Sequence, residues 1–245
     1  MAGDKLYQAM KEIAKSKGIK ASPQHDLYKM YAPYFLNVFY CEIVDKKAKK
    51  MNVNIHYEAK CSYFDDLKLS IIEPDSTIKI TDKIRANSVI RFQSIIEKEI
   101  IEFEFDGKDE SYTEIAAKTL EHIEKWYMKF FDDVKNNYGD LENYFILNRD
   151  KFLMQAAFVY VYQRKYESAE ELIQKLPPKL HSSRSICPET ETQRIRLIES
   201  GAESFGNSFL RDDMDCIRDY IAAQKNGLEW TSERSRYGLL NEERS

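Results

Sequence analysis

Glycine and proline are scarce in this chain, at eight and six of 245 residues. No glycine-rich loop is present to cradle a phosphate, which removes the usual kinds of nucleotide-dependent chemistry. The four cysteines (Cys41, Cys61, Cys187, Cys216) are widely spaced and include no C-x-x-C pair. The four histidines (His25, His56, His122, His181) add no closely spaced ligand pair, so no metal and no cofactor is expected. No run approaches the ~18 to 20 apolar residues of a membrane span. Met1 to Lys5 lacks the apolar stretch of a secretory signal, so free thiols in a cytoplasmic location are expected. An excess of one charge is missing too. Forty-one acids against 37 bases leave a net charge of −4, which gives no general field for nucleic acid.

What the chain does have is enough apolar material for a real core. Hydrophobic residues make up 43% and charged residues 32%, a globular balance, and 245 residues suit one large or two ordinary domains. Leu6, Met10, Ile13 and Ala14 recur at helical spacing, with Asp4 as a candidate cap and Gly18 as a stop. Leu27 to Tyr31 predicts a short strand that Pro33 ends. Tyr34–Val44 and Met51–Cys61 predict a hairpin across the lysine-rich turn 45–50. Matching the apolar alternation of its two arms sets Val44 opposite Met51, Tyr40 opposite Ile55 and Val38 opposite Tyr57. Leu36, Val38, Tyr40 and Val44 then share a face with Met51, Val53, Ile55, Tyr57 and Ala59. The other face carries Phe35, Phe39, Cys41 and Ile43 beside Asn54 and His56.

Beyond the hairpin, Asp66 to Ile72 fits either a strand or a helical turn, and 78–92 gives no firm signal. Ile101, Phe103 and Phe105 alternate with acids as a strand closed by Asp106-Gly107. Ser111-Tyr112-Thr113-Glu114 has the form of a capping box. It opens a long helix with Tyr112, Ile115, Ala116, Leu120, Ile123, Tyr127, Phe130 and Val134 on one stripe, flanked by Trp126 and Phe131 and ended by Gly139. From Asp140 on, the pattern is helical, with stripes at 152–160 and 166–176, a polar loop at 179–188, and helices near 189–200 and 210–225. The expected fold is α+β: an antiparallel sheet covered by helices in 1–138, then an all-helical domain in 139–245.

One constellation suggests chemistry. Glu58-Ala59-Lys60 ends a strand downstream of Asp45, and a Glu-x-Lys of this kind belongs to the signature of metal-dependent nucleases. The hairpin register argues against it, because Asp45 sits at the tip. Eight residues at about 3.3 Å each put Glu58 roughly 26 Å away along the ladder. Opposite Glu58 lies Asn37, a poorer cation ligand. The lysine cluster Lys46, Lys47, Lys49 and Lys50 reads as a soluble, edge-protecting tip rather than a phosphate site. The mixed face is either covered by a helix or open as a partner groove. If open, Phe35, Phe39, Ile43 and His56 are its candidate contact residues, since aromatics dominate interface energetics.

Residues 149–178 resemble a single tetratricopeptide-type helical hairpin, with Tyr162, Tyr166, Ala169, Ile173 and Pro177 near that pattern's aromatic, small and proline positions. The resemblance occurs once, whereas such arrays need at least ~3 repeats, so it implies a helix pair packed on something else. The layout of the first 137 residues, with Trp126 near the end of the long helix, is similar to type III secretion chaperones, which are acidic, dimeric and wrap a partner's unfolded segment. Together these features point to a non-enzymatic interaction protein such as a chaperone, adaptor or immunity-type binder. Its expected partner is another protein or peptide rather than nucleic acid or membrane, with a homodimer left open. The nuclease on Glu58 and Lys60 is the alternative.

Overall fold

A computed structural model describes residues 2–21, 26–31, 34–77, 79–82, 85, 95–175 and 213–237. The fold is α+β, with a five-stranded antiparallel sheet in the N-terminal half and mostly helices after it. Two compact units divide it, Met1–Asp65 with Ile80–Leu147 and Asp66–Lys79 with Asn148–Ser245.

The first unit opens with α1 (Ala2–Ser16), whose Leu6, Met10 and Ala14 are buried and whose Ile13 is half-buried. Asp4 lies inside the helix rather than capping it, because the helix begins at Ala2. Gly18, at φ +67°, turns the chain out of it. The sheet runs β1 (Lys20–Ala21), β2 (Asp26–Tyr31), β3 (Tyr34–Asp45), β4 (Lys50–Cys61) and β5 (Ile95–Glu104), each antiparallel to its neighbour and in that spatial order. The hairpin register is the one expected, with Val44 opposite Met51, Tyr40 opposite Ile55, Val38 opposite Tyr57 and Asn37 opposite Glu58. It follows from the period-2 pattern: a slip of one residue would send Met51, Val53, Ile55 and Tyr57 to the wrong face.

That apolar face is closed by α3 (Asp109–Asn137), whose Trp126 stacks on Tyr57 with ring centres 4.4 Å apart. The Trp126 indole N–H donates to Glu97 Oε2 at 2.8 Å. Such a ring pair contributes about 0.5–1.5 kcal/mol beyond the area it buries, and its polar ends need partners; Tyr57 donates its hydroxyl to Glu99 Oε2 at 2.7 Å. Lys5–Asp109 and Lys17–Glu124 set α1 parallel alongside α3. The expected capping box does not form. The helix starts at Asp109, Ser111 donates its hydroxyl to Asp106 Oδ1 at 2.5 Å, and the same oxygen accepts the Lys108 N–H at 3.0 Å. Asp106, directly ahead of Gly107, competes for the serine and wins. These bonds hold its carboxyl below the usual range.

The ambiguous 66–72 segment is helical, α2 (Phe64–Ile72), because its buried anchors Phe64 and Ile71 lie two helical turns apart. After Gly139, α4 (Leu141–Leu147) packs with the first unit: Leu141 N–H donates to Tyr34 Oη at 3.1 Å and Phe145 lies 5.9 Å from Phe64. The expected boundary at 138–140 therefore falls before a helix that belongs with the sheet.

In the second unit α5 (Leu153–Tyr162) and α6 (Tyr166–Gln174) form a helical hairpin, with Arg164 at φ +57° in the turn. Ala156 to Val159 are all buried, and so are Ala169 and Ile173, while Tyr162 is exposed. Lys225 of α7 (Asp213–Lys225) pairs with Glu170 of α6 at 2.7 Å, and α8 (Ser232–Tyr237) follows. Pro177, the 179–188 loop and the helix expected near 189–200 lie outside the described residues, as does most of 78–92.

Candidate functional site

The sheet face opposite α3 is where the sequence places every candidate residue. Cross-strand partners point the same way, so Tyr28, Phe35, Asn37, Phe39, Cys41 and Ile43 share this face with Asn52, Asn54, His56, Glu58 and Lys60. Lys98, Ile100 and Glu102 continue it onto β5. The face has a closed half and an open half.

The closed half holds the Glu-x-Lys pair. Phe35 is fully buried and stacks on Tyr28 at 5.5 Å, and the Lys60 Nζ lies 5.3 Å from the Phe35 ring centre. Asn37 Nδ2 donates to Glu58 Oε2 at 2.9 Å. Lys60 Nζ donates to Asp65 Oδ1 at 2.8 Å and to the Arg85 carbonyl at 2.9 Å. Arg85 Nη1 lies 3.6 Å from Asp65 Oδ2 and also donates to the Ser62 carbonyl. The side chains of Lys60 and Asp65 are only 7% and 1% exposed. Desolvation pushes the lysine pKa down and the Asp65 carboxylate pushes it back up.

This is a compensated buried ion cluster, and its chemistry is structural. A cation shared by Glu58 and Asp65 would have to strip Asp65 of Lys60 and sit beside the Arg85 guanidinium, both repulsive. Asp45 is engaged elsewhere. At the hairpin tip it accepts the N–H groups of Lys47 and Ala48, each at 2.9 Å, and shapes the turn in which Lys49 takes φ +55°. The geometry thus gives the nuclease reading no support.

The open half lies toward the hairpin tip. Ile43 is 59% exposed and Ile100, across Asn54 from Cys41, is 70% exposed. Phe39 and His56 are half-buried, their rings 6.1 Å apart and tilted. Asn54 Nδ2 reaches Cys41 Sγ at 3.7 Å, and the Lys50–Glu102 pair, at 2.6 Å, lines the tip end of the face.

Of the four expected contact residues, Phe39, Ile43 and His56 come together on the open half. Phe35 does not. Tyr28 and Lys60 cover it, so it belongs to the interior and cannot meet a partner. The sequence does not mark Asp65 and Arg85 as partners of Lys60. Asp65 falls just outside the 66–72 window, and nothing in local spacing ties Arg85 to a strand that ends at residue 61. Ile100 is not legible in the sequence either, because the alternation of Ile101, Phe103 and Phe105 marks only the opposite face of β5.

Among the described residues no group of three or more His, Cys, Asp and Glu is placed to hold a metal ion. Among them, too, no helix is long and apolar enough to cross a membrane, and Cys41, Cys61 and Cys216 are free thiols. No protein-family model, curated protein or solved structure matches this chain. The geometry of the mixed face alone carries any functional reading.

Proposed function

We propose that this chain is a non-enzymatic, cytoplasmic protein-interaction module, a chaperone, adaptor or immunity-type binder. On this reading it docks another protein or peptide on the open half of the mixed sheet face and needs no cofactor. The observation that supports it is the exposure of Ile43, at 59%, on the same face as Phe39 and His56. A single exposed isoleucine is ordinary. An isoleucine, a phenylalanine and a histidine on one face, with Ile100 on the next strand, make a contiguous patch of the kind that marks a docking surface. The flat ring of Phe39 offers contact area at low entropic cost.

The test is recovery of the tagged protein from its native cells with identification of whatever co-elutes, repeated with Phe39→Glu and Ile43→Glu. A stoichiometric protein that both variants lose, with circular dichroism unchanged, is the expected result. Binding that survives both substitutions removes this face from consideration, and a solitary protein removes the interaction reading itself.

A further inference from the structure

We propose that two copies of this chain pair through β5 into one continuous antiparallel sheet, with a two-fold axis at Ile100. The inference goes beyond the docking face and does not depend on it.

β5 is an edge strand, with β4 on one side and no second neighbour among the described residues. The Phe105 N–H donates to the Lys49 carbonyl at 2.7 Å. In an antiparallel ladder successive residues turn their N–H and C=O groups to opposite sides. Phe103, Ile101 and Glu99 therefore bond β4, while Glu102, Ile100 and Lys98 turn their backbone groups outward. Pairing is regular over this stretch, since the register shift lies at Tyr57/Glu58. An edge of this length is ordinarily protected against self-pairing by like charges.

Here the signs do the opposite. Outward-facing residues must meet outward-facing residues, which restricts a two-fold to axes through single residues. Axes at Lys98, Glu99 or Glu102 oppose like charges. The axis at Ile100 sets each Lys98 against Glu102 of the second copy, twice, and sets the two exposed isoleucines against each other. An axis at Ile101 also avoids repulsion but leaves Ile100 against a glutamate. The Ile100 axis is the one that satisfies both charge and burial.

Sedimentation and light scattering on the full chain test this through charge reversal. The wild type is expected at twice the 28.9 kDa of one chain. Lys98→Glu and Glu102→Lys should each fall to one chain, because each makes two like-charge pairs. Mixed one to one, the two single variants should recover the doubled mass, and so should the double variant. The Ile101 axis would not show this last rescue, since it pairs Lys98 with Glu104. Ile100→Pro removes an N–H that β4 does not use and should also give single chains, with circular dichroism unchanged. A wild type of single mass at every concentration overturns the proposal. So does a doubled mass that persists in the single variants and Ile100→Pro, or a double variant that stays single.

Discussion

A lysine on a buried strand position survives only if its ammonium is compensated, and Lys60 has three compensations: the Asp65 carboxylate, the Arg85 carbonyl and the face of Phe35. Removing one partner of such a pair strands the other. Lys60→Ala is therefore expected to destabilise the first unit by about 3–5 kcal/mol, toward the lower end because Arg85 still stands near Asp65. Urea unfolding measures this. The double change Lys60→Met with Asp65→Leu should recover only part of the loss, since it removes the pair but leaves the Arg85 guanidinium without its carboxylate; adding Arg85→Met should recover more. A small effect of Lys60→Ala alone would mean that Lys60 is held for something other than stability. The sequence already shows Glu58 and Lys60 on one face, because the hairpin register is forced by apolar alternation. It does not show that Asp65 closes the cluster, since Asp65 lies past the turn at the head of a helix whose period is visible only once Phe64 is counted. Nor does it show that Phe35 is covered: alternation assigns a face, and what lies over that face depends on residues distant in sequence.

Elements are legible where their pattern is long and uncertain where two short signals compete. The 12-residue strands β3 and β4 and the 29-residue α3 follow their periods. The start of α3 does not follow its capping box, because Asp106 binds Ser111 first. The end of α2 shows the same lesson in reverse. The last carbonyls of any helix lack intrahelical partners. Those of Ile71 and Ile72 receive the Trp230 indole N–H at 2.8 Å and the Ser235 hydroxyl at 2.5 Å, partners more than 150 residues away by sequence number and invisible to any local rule. Trp230→Phe should keep the edge contact with the Tyr220 ring and lose the hydrogen bond, at a cost of about 0.5–1.5 kcal/mol. Ser235→Ala should cost a similar amount. Amide hydrogen exchange is the sharper readout: protection should fall at Ile71 to Glu73 and stay unchanged along α3. Loss of protection spread evenly over the molecule would show that these bonds do not act locally.

At the scale of the whole molecule, Tyr7, Tyr28, Tyr34, Tyr40, Tyr57, Tyr112, Tyr127 and Tyr144 are buried, half of the sixteen tyrosines in the sequence, which leaves a signature in the response to alkali. Burial raises the phenol pKa of Tyr28, Tyr34, Tyr57, Tyr63, Tyr112 and Tyr220 and raises Tyr144 to about 12. The Tyr57 hydroxyl, donating to Glu99, adds a penalty for ionisation beyond desolvation. Burial raises the Cys61 thiol as well. In the unfolded chain these phenols titrate near about pH 10. Above that pH the folded form holds more protons than the unfolded one, so stability falls as pH rises. Below it the two forms hold equal numbers and these groups impose no slope. Lys60 opposes the trend: its lowered pKa makes the unfolded chain the better proton binder until roughly pH 10.4, the ordinary lysine value. One lysine acts against seven phenols, so the net slope is downward. Urea midpoints should therefore hold through neutral pH and drop steeply beyond about pH 10. The tyrosinate absorbance of the buried Tyr57, taken as the difference between wild type and Tyr57→Phe, should rise together with the loss of tertiary structure rather than ahead of it. Tyr57→Phe removes one strongly shifted phenol and should flatten the alkaline limb while leaving Trp126 stacked on the ring. Tyrosinate from Tyr57, read as the difference between wild type and Tyr57→Phe, appearing while the fold is intact would show that this phenol is reached by solvent and is not part of the core.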